Sequence, residues 1–160
     1  MWDIFHSHLE AGETYPFPPD TTRAIGYEYW LGAAATTFVA VRGRERVLGM
    51  YRIVTNQVGR GAHVANASYM VSPLAQGVGI GRLLGEHSLV QARSLGYLAM
   101  QFNYVVSTNT AAVKLWKKLG FTIVGTLPKA YRHPRLGYVD AYVMYQLLAD
   151  LEKLPSALEV

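Results

Sequence analysis

The chain contains no cysteine. That excludes disulfides, thiolate metal sites and a cysteine nucleophile, and it fits a cytoplasmic protein. No run approaches the ~20 consecutive apolar residues that a membrane-spanning helix needs, so no membrane partner is expected. The opening Met1-Trp2-Asp3-Ile4 lacks a basic stretch followed by an apolar segment, so it does not read as a secretory signal. No low-complexity tract or internal repeat is present. None of the five histidines stands in a His-x3-His or His-Glu-x2-His spacing, so no metal is predicted. Strong charge of one sign is also missing. Fifteen Lys and Arg against eleven Asp and Glu leave a net +4. Arg42, Arg44 and Arg46 surround a hairpin turn, and Lys114, Lys117 and Lys118 lie on one helix, but no dense basic run forms. Without a nucleic-acid motif or an interleaved basic-aromatic surface, nucleic acid is not an expected partner. A mild positive excess suffices for an anionic small ligand.

What is present supports one domain over residues 1–160. Half of the residues are hydrophobic (51%), enough for a sizeable core. Residues 2–11 read as a helix with Trp2, Phe5 and Leu9 on one side, stopped at Gly12. Prolines at 16, 18 and 19 keep the next stretch out of a helix. Asp20 is a good N-cap for a second helix to about Leu31. Residues 36–42 and 46–57 form a β-hairpin through Gly43, and residues 63–71 form a third strand. From Gly79 the pattern turns helical, with Ile80, Leu83, Leu84, Val90 and Leu95 as its apolar stripe and His87 as a core histidine within it. Residues 98–106 are apolar nearly throughout, as in a central strand. Asn109 caps a further helix with Ala112, Leu115, Trp116 and Leu119 on one face, and Gly120 ends it. A strand at 121–127, a loop at 128–136 and a strand at 137–147 follow, with a frayed or briefly helical tail. The predicted fold class is α/β (α+β), a mixed sheet with helices packed on it.

The stretch Gln76-Gly77-Val78-Gly79-Ile80-Gly81-Arg82 carries the most chemistry. It joins a strand to a helix. Missing β-carbons let a ligand approach the backbone, and the first N–H groups of the helix are unpaired. Those amides and the helix dipole favour a phosphate. A mononucleotide P-loop is excluded, because Arg82-Leu83 stand where Lys-Ser/Thr would be needed. A dinucleotide fingerprint also fails: its third glycine would fall on Arg82 or Leu84. A glycine-rich turn that merely caps a helix is the plainer alternative.

A second segment weighs against that alternative. Asn109-Thr110-Ala111-Ala112-Val113-Lys114-Leu115-Trp116-Lys117-Lys118-Leu119-Gly120-Phe121 closes a second strand–helix unit about thirty residues on. With Val71-Ser72-Pro73 leading into the glycine loop, this chain resembles the GNAT superfamily of N-acetyltransferases across roughly residues 36–147. The first thirty residues resemble it only loosely, and the family's usual first strand has no counterpart. A GNAT fold without that edge strand is therefore expected.

The resemblance implies acetyl-CoA as acyl donor and a primary amine, of a small molecule, as acceptor. It implies that backbone at Tyr69, Met70 and Val71 pairs with the pantetheine arm. Gln76, Gly77, Val78, Gly79, Ile80, Gly81 and Arg82 would cradle the pyrophosphate. Asn109, Ala112 and Trp116 would flank the arm, and Lys117 would approach the 3′-phosphate. Trp116 stands where the family often has a tyrosine acid; an indole N–H is no useful acid, and a core aromatic is the alternative role. Tyr104, Tyr131, Tyr138 and Tyr142 are the other candidates for the acid. The third strand offers Asn66 and Ser68 where a glutamate base often stands, so a water held by them is the expected base. Glu13, Tyr15 and Phe17 on one side, and Tyr131, Arg132 and His133 on the other, would form the acceptor entrance. Glu13 could hold a cationic amine and Arg132 a carboxylate, although solvated loop charges are the alternative for both. A non-catalytic acyl-CoA sensor and a protein N-acetyltransferase remain open alternatives. The missing edge strand and an exposed aromatic first helix are compatible with a homodimer.

Overall fold

The computed structural model describes residues 1–43 and 46–148. Residues 44–45, where the sequence places Arg44 in a hairpin turn, and residues 149–160, the expected frayed or helical tail, lie outside the described residues. The elements follow the expected order: α1 (Trp2–Ala11), α2 (Arg23–Leu31), β1 (Thr36–Arg42), β2 (Arg46–Thr55), β3 (Val64–Val71), α3 (Ile80–Ser94), β4 (Ala99–Val106), α4 (Thr110–Lys118), β5 (Thr122–His133) and β6 (Gly137–Leu147). The six strands make one mixed sheet in the order β1-β2-β3-β4-β6-β5, with β3 and β4 its parallel pair.

Two apolar clusters hold the layers together. Tyr51, Ile53, Leu84, Met100, Phe102, Trp116, Phe121 and Met144 pack where α3 and α4 meet the sheet. Ile4, Phe5, Leu9, Trp30, Met50 and Met70 pack under α1 and α2. Met50 and Met70 share that second cluster because they are paired across β2 and β3 and point to the same face.

Four local expectations need correction. The N-cap of α2 is Thr22, not Asp20; its hydroxyl accepts from Ile25 N at 3.4 Å. The buried face of α3 carries Leu84, Gly85, Ser88, Leu89 and Ala92, while Leu83 (55% exposed) and Val90 (58% exposed) lie on the opposite side and Leu95 lies past the last turn. Small residues let this helix close onto its neighbours: a β-carbon on Gly85 would sit 2.5 Å from Leu119 Cδ1, and one on Gly49 beneath it 2.9 Å from Leu84 Cδ1. His87 is correspondingly on the exposed side, although its Nδ1 lies 2.7 Å from the hydroxyl of buried Tyr51. Finally, residues 128–133 are not loop. They continue β5, with Tyr131 opposite Val139 and His133 opposite Gly137, after an irregularity between Leu127 and Tyr131. That irregularity admits Pro128 into the strand. There Lys129 takes φ 52°, and its amide donates to Asp140 Oδ1 at 2.9 Å.

Candidate active site

Parallel pairing between β3 and β4 is confined to Val64–Ala99 and Ala65–Met100. Beyond Ala65 the strands diverge. The amide of Ser72 donates to Leu48 O, and Val64 O accepts from Asn56 N. Even-numbered residues of β3 therefore aim their main chain at β2. By alternation, Ala67, Tyr69 and Val71 aim theirs into the gap. Two of those carbonyls are held by side chains from the N-terminal region: Tyr15 Oη donates to Tyr69 O at 2.8 Å, and His8 Nε2 lies 3.0 Å from Val71 O.

A cleft of about 700 Å³ fills the gap. Its floor at one end is the glycine loop. Gly77 and Gly79 both take the left-handed conformation (φ 77° and 88°), and a β-carbon at either would meet nothing within 4 Å. Gly79 is the N-cap of α3 and offers no side chain to the first-turn amides. The loop is thus bare, open and lined with unpaired donors. Gly81 lies against the far wall, 3.5 Å from Leu115 Cδ2 when given a β-carbon. Asn109 caps α4, its Oδ1 accepting from Ala112 N at 3.2 Å. Trp116 belongs to the core (7% exposed) and to the cleft wall together, its ring 4.6 Å from that of Tyr69. The Tyr69 hydroxyl is turned away into α3, 2.7 Å from Ser88 Oγ, and burial pushes its pKa up.

The other end of the cleft is walled by Glu13, Thr14, Tyr15, Pro16, Phe17, Tyr29, Asn66, Ser68, Asn103 and Tyr104. Ser68 Oγ pairs with Tyr29 Oη at 2.6 Å, and the Tyr29 ring lies 3.6 Å below the Arg52 guanidinium. Tyr104 Oη donates to Ala130 O, and burial raises its pKa. Burial also drives the Tyr15 hydroxyl well above its ordinary range.

Several sequence-selected residues lie elsewhere. Tyr131 is buried behind the wall, where its hydroxyl donates to Gly12 O at 2.6 Å and Tyr15 O at 3.1 Å. His133 (6% exposed) turns its Nδ1 onto the amides of Arg135 and Leu136 at 3.2 and 3.3 Å, stapling the β5–β6 turn. Arg132 is exposed and off the cleft; Arg135 instead pairs with Glu13. Arg82 pairs with Glu86 at 2.7 Å, and Lys117 is exposed beyond the lining. Tyr138 is exposed, and Tyr142 packs against the core. His8, Tyr29 and Asn103 were missed. Nothing in their local sequence signals a cleft, because α1, α2 and β4 bring them there through tertiary packing. Among the described residues, no group of three His, Asp or Glu side chains is placed to hold a metal ion. No helix there is long and apolar enough to cross a membrane.

A mixed sheet split beside a bare glycine loop defines a class. Residues 2–121 match the acetyltransferase (GNAT) family. The chain belongs to that family and is an N-acetyltransferase. The match reaches back to residue 2, so the N-terminal helices belong to it as well. The chain is 31% identical over 160 residues to the N-acetyltransferase aca1 of Schizosaccharomyces pombe, spanning 90% of this chain and 77% of that protein. It is 43% identical to a GCN5-related N-acetyltransferase from Kribbella flavida, with a TM-score of 0.87 over 92% of this chain and 89% of that one. It shares its fold with yncA of Salmonella typhimurium, solved with its cofactor acetyl-CoA, at 23% identity and a TM-score of 0.79 over 97% and 90% of the two chains.

Proposed function

We propose that residues 1–160 form one domain that transfers acetyl from acetyl-CoA to a primary amine of a small molecule, by direct attack in a ternary complex. The observation that carries this reading is the coincidence of two sets of free main-chain donors. One set is the uncapped start of α3 behind Gly77 and Gly79. The other is the gap-facing edge of β3 at Tyr69 and Val71, left bare by the divergence of β4. They line one cleft. A diphosphate fits the first set by charge, and an extended amide-bearing arm fits the second as an added strand would.

In this reading the amides of Gln76, Gly77, Val78, Gly79, Ile80, Gly81 and Arg82 grip the diphosphate. Tyr69, Met70 and Val71 align the arm and direct an amide at the thioester oxygen, where negative charge develops. Asn109, Ala112 and Trp116 form the opposite wall, and Lys117 reaches the 3′-phosphate. Glu13, Tyr15 and Phe17 border the acceptor. The amine nitrogen attacks the carbonyl carbon, the C–N bond forms, and the C–S bond breaks. The proton lost by nitrogen ends on sulfur, leaving amide and free thiol. Tyr104 and Tyr131 already donate to backbone carbonyls, so a water held by Asn66, beside the Ser68–Tyr29 pair, is the better carrier of that proton.

We place the enzyme in the cytoplasm, since a chain without cysteine needs no oxidising compartment. We treat it as a homodimer, since β1 is a sheet edge with exposed Val39 and Val41; sedimentation at a monomer's mass would remove that part. The function itself is tested by calorimetry with acetyl-CoA followed by a thiol-release assay over an amine panel. Failure to bind acetyl-CoA ends the reading.

A further inference from the structure

The acceptor end of the cleft is short of charge. Among the described residues no Asp, Lys or Arg lines any part of it. Its one carboxylate, Glu13, is 39% exposed and is paired through Oε1 with Arg135 from the β5–β6 turn, which offsets its charge. The other titratable side chains on the lining are His8, beside Val71 at the donor end, and Tyr15, Tyr29, Tyr69 and Tyr104. Arg52 is off the lining, its guanidinium stacked 3.6 Å from the centre of the Tyr29 ring and donating to Tyr29 O. The acceptor-end phenols are also engaged: Tyr15 on Tyr69 O, Tyr29 with Ser68, and Tyr104 on Ala130 O. The Asn103 amide is tied to Asn56 Oδ1 and Gln101 Nε2. What remains on the lining is aromatic ring surface, from Tyr15, Phe17, Tyr29 and Tyr104, and two uncharged polar groups, the Thr14 hydroxyl and the Asn66 amide, for which the described residues supply no hydrogen-bond partner.

Resting on the acetyltransferase reading, we propose that the acceptor is an amine with an uncharged aromatic or apolar body, bound as the free base with its N–H donated to Asn66 Oδ1. An ammonium would leave water for a wall whose single carboxylate is already offset by Arg135, and an acceptor carboxylate would find no cation on the lining; both transfers are costly when the charge is left unpaired. The rings of Phe17 and Tyr29, at 4.8 Å edge to face, provide an angled apolar surface for a ring or alkyl body instead. A free base also resolves the shortage of proton-transfer groups. R–NH2 and the thioester give R–NH–CO–CH3 and the thiol with no proton gained or lost overall, so a single water moving the proton from nitrogen to sulfur is sufficient.

The test begins with acetyl-CoA calorimetry, so that donor binding is scored separately. kcat/KM is then measured by thiol release for an aniline, benzylamine, a linear polyamine and glycine. The aryl and benzyl amines are expected to exceed the polyamine and glycine by about tenfold or more, the discrimination expected of an uncharged pocket against an unpaired charge. For benzylamine, kcat/KM should climb about tenfold per pH unit up to the amine's own pKa, while the weakly basic aniline stays level over the same range. Asn66→Asp, which restores a carboxylate, should move the benzylamine-to-polyamine ratio about tenfold toward the polyamine and leave acetyl-CoA affinity in place. Donor binding together with a preference for the polyamine or glycine overturns this inference alone. So does donor binding with no turnover of either aromatic acceptor. Loss of donor binding in the wild-type protein would instead remove the acetyltransferase reading, and this inference with it.

Discussion

At the scale of single residues, main chain does most of the recognition, and side chains decide where it points. Gly79 adopts φ 88° with open space where a β-carbon would stand. A β-branched residue there pays about 1–2 kcal/mol for the left-handed backbone and covers the uncapped first-turn amides of α3. Gly79→Val is therefore expected to weaken acetyl-CoA binding about tenfold or more by calorimetry; unchanged affinity would mean that the donor binds elsewhere. Tyr131 acts at a distance from the cleft. Its hydroxyl fixes Gly12 and Tyr15, and Tyr15 in turn touches Tyr69. Tyr131→Phe should cost about 1 kcal/mol of stability and raise the acceptor KM several-fold. Acetyl-CoA affinity should stay the same, which separates a positioning role from a donor-binding one.

At the scale of elements, the cleft exists because α3 and α4 hold the diverging strands at fixed separation. Gly85 is the contact point: a β-carbon there would meet Leu119 at 2.5 Å and Trp116 at 3.1 Å. Gly85→Val overpacks this junction and should cost about 2 kcal/mol, lowering the melting temperature by roughly 4–8 °C for a chain of this size. Because Trp116 also lines the cleft, the same variant should lose donor affinity even at temperatures where it is folded. A melting temperature equal to the wild type's would show that the two helices have room to spare.

At the scale of the whole molecule, buried tyrosines tie stability to alkaline pH. Burial raises the pKa of Tyr51 and Tyr69 well above the ordinary value of about 10. A raised folded-state pKa means that the native protein holds its phenolic protons more tightly than the unfolded chain does. That contribution is complete below about pH 10 and is lost as pH rises beyond it, at about 1.4 kcal/mol per pH unit for each such tyrosine. Denaturation midpoints should be level up to about pH 9 and fall steeply above 10. Tyr69→Phe should make the fall shallower, and an unchanged slope would show that Tyr69 does not contribute to it.

The amino-acid sequence determined what is local. The glycine loop, the Asn109 cap and the order of helices and strands follow from spacing and backbone preference within short windows, and two such windows carry the resemblance to the family. Tertiary structure decided what depends on which face meets which. The packing face of α3 combines Leu84 and Leu89 with Gly85, Ser88 and Ala92, whose small size lets the helix approach, so an apolar pattern found Ile80 and Leu84 but also pointed to Leu83 and Val90, which are exposed. Glu13 meets Arg135, and Tyr131 meets Gly12, across more than a hundred residues of chain, a separation at which no periodicity carries information. Continuation of β5 through Pro128 depends on its partner strand β6. The bare glycine loop is a matter of backbone conformation at Gly77 and Gly79 and was written in the sequence. The pairings of Glu13, Tyr15 and Tyr29 around the far end of the cleft join distant side chains, and only the folded chain brings those together.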